Sequence, residues 1–77
     1  MPVVLRQDGY RFYFFSNEGN EPPHIHVAKG GAVAKYFLRP IRLVMNEDFK
    51  PPQLRRIVEL LEENELELIE AWNEYHH

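Results

Sequence analysis

Two histidines two residues apart, His24 and His26, carry the richest chemistry in this chain, together with Lys35, Glu18 and Glu21. An imidazole changes charge near neutral pH, so a pair of them can move protons or, when neutral, ligate a metal. Three chemistries follow. In the first, His24 and His26 exchange protons with a phosphodiester while Lys35 stabilises the developing charge, which suffices for metal-independent cleavage of RNA. In the second, His24, His26 and Glu21 (or Glu18 from the same loop) hold a divalent metal through two imidazoles and a carboxylate. Lys35 counts against that option, since an ammonium repels a cation. In the third and plainest, both histidines only form hydrogen bonds at a surface or interface, and Lys35 is solvated.

A β-hairpin must position these residues. Pro22-Pro23 leads into His24-Ile25-His26-Val27-Ala28-Lys29, and Gly30-Gly31 joins that run to Ala32-Val33-Ala34-Lys35-Tyr36-Phe37-Leu38. Two glycines suit a two-residue hairpin loop, because either accepts positive φ. Counting outward pairs Lys29 with Ala32, Val27 with Ala34, His26 with Lys35, Ile25 with Tyr36 and His24 with Phe37. Side chains alternate across a strand, so His24, His26, Lys35 and Phe37 share one face. Ile25, Val27, Ala32, Ala34 and Tyr36 share the other, which is the expected core face.

Upstream, Val3-Val4-Leu5-Arg6 predicts a short strand and Asp8-Gly9 a turn. Tyr10 to Phe15 then follows with five aromatics around Arg11. Tyr10, Phe12 and Phe14 fall on one face, and Arg11, Tyr13 and Phe15 on the other. Arg11, Tyr13, Phe15 and Phe37 therefore predict a face on which bases could stack beside cations. Both faces are aromatic while one helix covers only one, so a homodimer, a partner protein or a ligand is expected to cover the second. Residues 16–23 form a polar loop rich in turn formers.

After Arg39-Pro40, Ile41 to Met45 predicts one more extended run, and Phe49 is placed under a helix start. From Pro51 the period becomes helical: Leu54, Val58, Leu61, Leu68, Trp72 and Tyr75, widened by Ile57 and Ile69, with Glu65 the one violation. Proline suits the first helical turn, whereas Lys50 lacks a side-chain acceptor and is a poor N-cap. The spacing predicts one long helix over 51–75, roughly 35 Å at 1.5 Å per residue. His76 and His77 carry no weight here, since terminal histidines are common purification tags.

The 77 residues predict a single domain, β-rich over 1–45 and helical over 51–75, with one core. There is no cysteine, which excludes disulfides and thiolate chemistry. No leader-like segment or spanning apolar run is read, so a cytoplasmic protein with no membrane partner is expected. The net charge of −3 is divided: residues 1–45 hold six Lys/Arg against three Asp/Glu, and residues 46–77 hold three against nine. A basic sheet on an acidic helix fits an anionic partner for the sheet, RNA or DNA among them, although the overall pI of 5.7 is low for a stand-alone nucleic-acid binder.

The chain resembles the DUF4160 family of small bacterial proteins of unknown function. The resemblance rests on Tyr10-Arg11-Phe12, Ser16-Asn17-Glu18, Glu21-Pro22-Pro23-His24-Ile25-His26-Val27 and Ala34-Lys35-Tyr36-Phe37-Leu38-Arg39-Pro40. It continues through Leu43, Asn46, Phe49, Leu54-Arg55, Ile57, Glu70 and Trp72. Asp48 and Lys50 depart from it, where the family often has glycine and serine. The resemblance implies a gene set beside a member of the DUF2442 family, in a two-gene cassette of the toxin–antitoxin kind. No activity comes with it.

The expected fold is thus α+β: a small antiparallel sheet of three to five strands around a central hairpin, packed on one long C-terminal helix. Leu54, Ile57, Val58, Leu61, Leu68 and Trp72 should meet Phe12, Phe14, Ile25, Val27, Ala34 and Tyr36. The expected function is an interaction or regulatory module of the cassette, working through the His24/His26/Lys35 face. The alternatives are a nucleolytic or nucleic-acid-binding toxin and a divalent-metal-binding protein. No cofactor is expected in the first two cases.

Overall fold

In the computed structural model, which describes residues 3–76, the chain turns at Gly30 with φ +59° and closes the hairpin that its glycines predict. Only Gly30 of the pair uses positive φ. The hairpin joins β3 (His24–Lys29) to β4 (Ala32–Leu38) in the expected register, His26 opposite Lys35 and His24 opposite Phe37. Before it come β1 (Val3–Gln7) and β2 (Tyr10–Tyr13), turned at Asp8 and Gly9, whose φ of 55° and 82° match the twist a two-residue hairpin requires. After it comes β5 (Ile41–Glu47), and the five strands form one antiparallel sheet in sequence order. β5 is therefore longer than the run 41–45, and strand structure extends past position 45 to Glu47. Asn46 then closes the exit: its Oδ1 accepts from the Phe49 N–H and its Nδ2 donates to the Phe49 carbonyl, both at 3.1 Å.

The helical part corrects the expectation of one long helix. It is two helices, α1 (Pro51–Glu63) and α2 (Glu65–Tyr75), broken at Asn64, whose φ of −119° and ψ of 17° leave the helical region. The cause is local. Asn64 Nδ2 donates to the Leu60 carbonyl at 2.8 Å, competing with the backbone for that acceptor, and reaches Gln7 Oε1 at 3.3 Å. Its backbone N–H is split between Leu60 and Leu61 at 3.2 and 3.3 Å. Glu65, the residue that violates the apolar stripe, begins the second helix. At the start of α1, Lys50 supplies no side-chain acceptor, but Gln53 Oε1 accepts from the Lys50 N–H at 2.9 Å and makes half of a capping box.

Both helices lie on the face carrying Tyr10, Phe12, Phe14, Ile25, Val27, Ala34, Tyr36 and Leu38, all buried. They contribute Ile57, Leu60 and Leu61 from α1 and Leu68, Ile69 and Trp72 from α2. Leu54 and Val58 are half-buried and pack against this core as the spacing predicts, and Leu60, which the spacing did not single out, is fully buried in it. Phe49 plugs the core beneath α1 at 4% exposure. Among the described residues, no helix is long and apolar enough to cross a membrane.

Candidate metal centre

The first residue of β3 turns inward at the end of the sheet. His24 shares the outer face with His26 by alternation, yet it is fully buried, and His26 is 8% exposed. The expected open cationic surface is thus closed over at its histidine end. Three things close it. The loop 16–23 folds across, held by a turn in which Glu21 N–H donates to the Glu18 carbonyl at 3.1 Å. The Trp72 ring of α2 lies over His24 at 4.8 Å between centroids. Tyr13, opposite His26 in the sheet, stacks on it at 5.5 Å, and Phe15 meets it edge-on at 4.5 Å.

His76 completes the cover. Its ring lies 3.9 Å from that of Trp72, and its Nε2 stands 3.0 Å from the Phe15 carbonyl. Gly19 fits beneath it: an added Cβ would come within 3.1 Å of the imidazole. A histidine set aside as tag-like is therefore built into the fold. His77 lies outside the described residues.

Inside this cover, Glu18 Oε1 sits between two imidazoles, 2.6 Å from His24 Nε2 and 3.0 Å from His26 Nε2. The far nitrogen of His24, Nδ1, lies 3.0 Å from the Pro22 carbonyl. Both ring nitrogens of His24 thus face acceptors. A neutral imidazole owns one N–H. With Nδ1–H given to Pro22, Nε2 can approach an ionised Glu18 to 2.6 Å only with a second proton between them, and a metal ion in that place needs the two atoms further apart. Donation of the outer ring N–H to a backbone carbonyl is also the usual way a ligating histidine is oriented.

The electrostatics lower the pKa of both the Glu18 carboxyl and the His26 imidazole. Burial pushes Glu18 up, but the hydrogen bonds from His26 and His24, and their charge, outweigh it and hold the carboxyl below its ordinary range. Burial pushes the His26 imidazole down, against the upward pull of Glu18. A carboxylate and a neutral imidazole are the forms a divalent ion takes as ligands.

The donor atoms are also grouped closely enough to be drawn onto one ion. Glu18, His24 and His26 each offer one atom, and all three lie within 4.8 Å of one another. A tetrahedral ion with bonds of about 2.0–2.1 Å separates its ligands by roughly 3.3 Å, so both Glu18 contacts must open from 2.6 and 3.0 Å and the imidazoles must turn toward one point before an ion is held. Glu21 is placed elsewhere: its Oε1 pairs with Lys35 Nζ at 3.2 Å and stands 3.7 Å from His24 Nδ1, the nitrogen already given to Pro22. The loop delivers Glu18 to the histidines and Glu21 to the lysine. Lys35 is thereby paired with a carboxylate, which weakens its objection to a cation beside His26.

The remaining face residues border this centre. Arg11 lies opposite Ala28, and Phe37 lies opposite His24 with the Arg42 guanidinium 5.6 Å from its ring. Phe15, at 38% exposure, is the most open of the aromatic ones. The sequence placed Trp72 in the core stripe, which it joins, but gave no sign that it also roofs His24.

Residues 9–73 match the family model for the Domain of unknown function (DUF4160), so the chain belongs to that family. No curated protein and no solved structure matches the chain significantly.

Proposed function

We propose that this protein is a small regulatory module built around a divalent-metal centre in which Glu18, His24 and His26 hold one zinc ion. One observation carries the reading: His24 is fully buried with acceptors at both ring nitrogens, at 3.0 and 2.6 Å. A cation at Nε2, with Glu18 drawn back from its 2.6 Å contact, satisfies both acceptors without a buried imidazolium. Two nitrogens and one oxygen form a donor set that zinc accepts, and three protein ligands leave a position free. The setting is the one the family resemblance implies: a bacterial protein that works with the product of an adjacent gene of the DUF2442 family, in a cassette of the toxin–antitoxin kind.

Calorimetric titration of zinc into the metal-stripped chain tests the reading. One ion should bind per chain, binding should be lost in His26→Ala, and it should persist in a His76→Gln/His77→Gln double variant. Circular dichroism checks that each variant folds. Absence of heat, or heat unchanged in His26→Ala, overturns it.

A second reading keeps the same residues as a nucleic-acid or ribonuclease face. Tyr13 and Phe15 flank His26, with Arg11, Lys35 and Phe37 on the same side of the sheet. RNA retention that falls with salt and with Phe15→Ala, and is indifferent to chelator, would favour it over the metal centre.

A further inference from the structure

β5 ends the strand order, so one side of its backbone has no strand to pair with among the described residues. Proteins usually blunt such an edge with charged side chains, lysine above all, with a proline or a β-bulge, or by keeping it short, and β5 has a bulge and two charges, Arg42 and Glu47. β5 is seven residues long, contains no proline or lysine, and exposes Leu43, Val44 and Met45 at 42, 44 and 38%. Below it an apolar groove of 460 Å³ opens between β5 and α1, lined by Tyr36, Ile41, Leu43, Leu54 and Val58.

The charges on this edge are self-complementary. Arg42 and Glu47 are five residues apart, and strict alternation would put them on opposite faces of the sheet. The β4–β5 ladder shifts at Val44, which is left without an opposite residue: Leu43 faces Tyr36, while Met45 faces the next residue, Lys35. That bulge restores a shared face, since Arg42 lies opposite Phe37 and Glu47 opposite Val33, both on the outer side of β4. Neither Arg42 nor Glu47 has an ion-pair partner among the described residues. In an antiparallel pair related by a two-fold axis, a strand meets its own sequence reversed. Opposing Arg42 to Glu47 then sets Leu43 against Asn46 and Val44 against Met45, with both charge pairs on one face.

We propose that β5 pairs with β5 of a second copy of this chain, joining two sheets into one across a two-fold axis, with Arg42 of each copy against Glu47 of the other. The exposed apolar centre of the strand becomes the middle of the interface, and the two grooves come to lie side by side beneath it. This interface is separate from the metal centre and from the outer aromatic face of Tyr13 and Phe15.

Sedimentation equilibrium of the full chain tests the pairing over a concentration series, with thermal melts as the check on folding. The mass should reach twice that of the 9.2 kDa chain at high concentration. Arg42→Glu should return it to that of a single chain by setting like charges opposite each other, and Arg42→Glu/Glu47→Arg should restore the dimer. Met45→Lys should give a monomer whatever Arg42→Glu does to folding. A single-chain mass at every concentration overturns the proposal. So does a dimer untouched by Arg42→Glu and Met45→Lys, or a β5 edge that binds only the co-expressed product of the neighbouring gene.

Discussion

His24 Nε2 stands 2.6 Å from Glu18 Oε1, although His24 has already committed its other ring nitrogen to the Pro22 carbonyl. This pair links the loop 16–23 to the sheet and fixes the direction in which the imidazole offers its lone pair. Glu18→Leu should therefore act twice. It should abolish zinc binding in calorimetry, and in the metal-free chain it should cost about 1–3 kcal/mol in denaturant unfolding, as expected when a charged partner is removed from buried polar groups.

The roof over that pair is Trp72, which also meets Phe14 edge-on at 5.4 Å. Trp72→Ala should cost about 3–5 kcal/mol, the usual effect of deleting a large buried aromatic. Small domains have total stabilities near the low end of about 5–15 kcal/mol, so this variant should be largely unfolded at physiological temperature by circular dichroism.

Asn46 ties the end of β5 to Phe49 through both functional groups of its amide. Asn46→Ala should lower the stability by about 1 kcal/mol, the net worth of such hydrogen bonds, and should leave zinc binding unchanged. A urea midpoint that does not move would show that Phe49 is held by its packing alone.

Tyr36 gives the alkaline limit. Burial, reinforced by the neighbouring Tyr10, pushes its phenol up to about 12 from an ordinary value of 10.0. A group whose folded value is raised stabilises the fold fully below its unfolded value, and that contribution is lost as pH rises through the folded one. Stability should therefore decline between about pH 10 and pH 12, and Tyr36→Phe should flatten that decline. The hydroxyl is only 3.5 Å from the Leu54 carbonyl, a marginal bond, so the substitution should cost little at neutral pH.

The register of the hairpin was legible in the sequence because two glycines and a period of two leave one arrangement that buries Ile25, Val27, Ala34 and Tyr36 together. The helix break was not. Asn64 looks like any polar residue on a helix surface until its amide finds Leu60 and Gln7, the latter 57 positions away in the chain. The burial of His24 was hidden for a similar reason, since alternation gives its face but not the aromatic ring that α2 lays across the end of the sheet. The choice between Glu18 and Glu21 depends on the path of a loop with no period to read. Spacing could bring the pair His24 and His26 into view, but only the turn between Glu18 and Glu21 selects which carboxylate joins them.

The protonation of His24 tests the central claim most directly. Long-range nitrogen–proton NMR on imidazole-labelled protein reads each ring nitrogen separately, before and after one equivalent of zinc. Zinc should take the Nε2 atoms of both His24 and His26 into the metal-bound range, while His24 Nδ1 keeps its proton and its bond to Pro22. A His24 that carries protons on both nitrogens and does not respond to zinc would contradict that claim, leaving the centre a buried ion pair and nothing more.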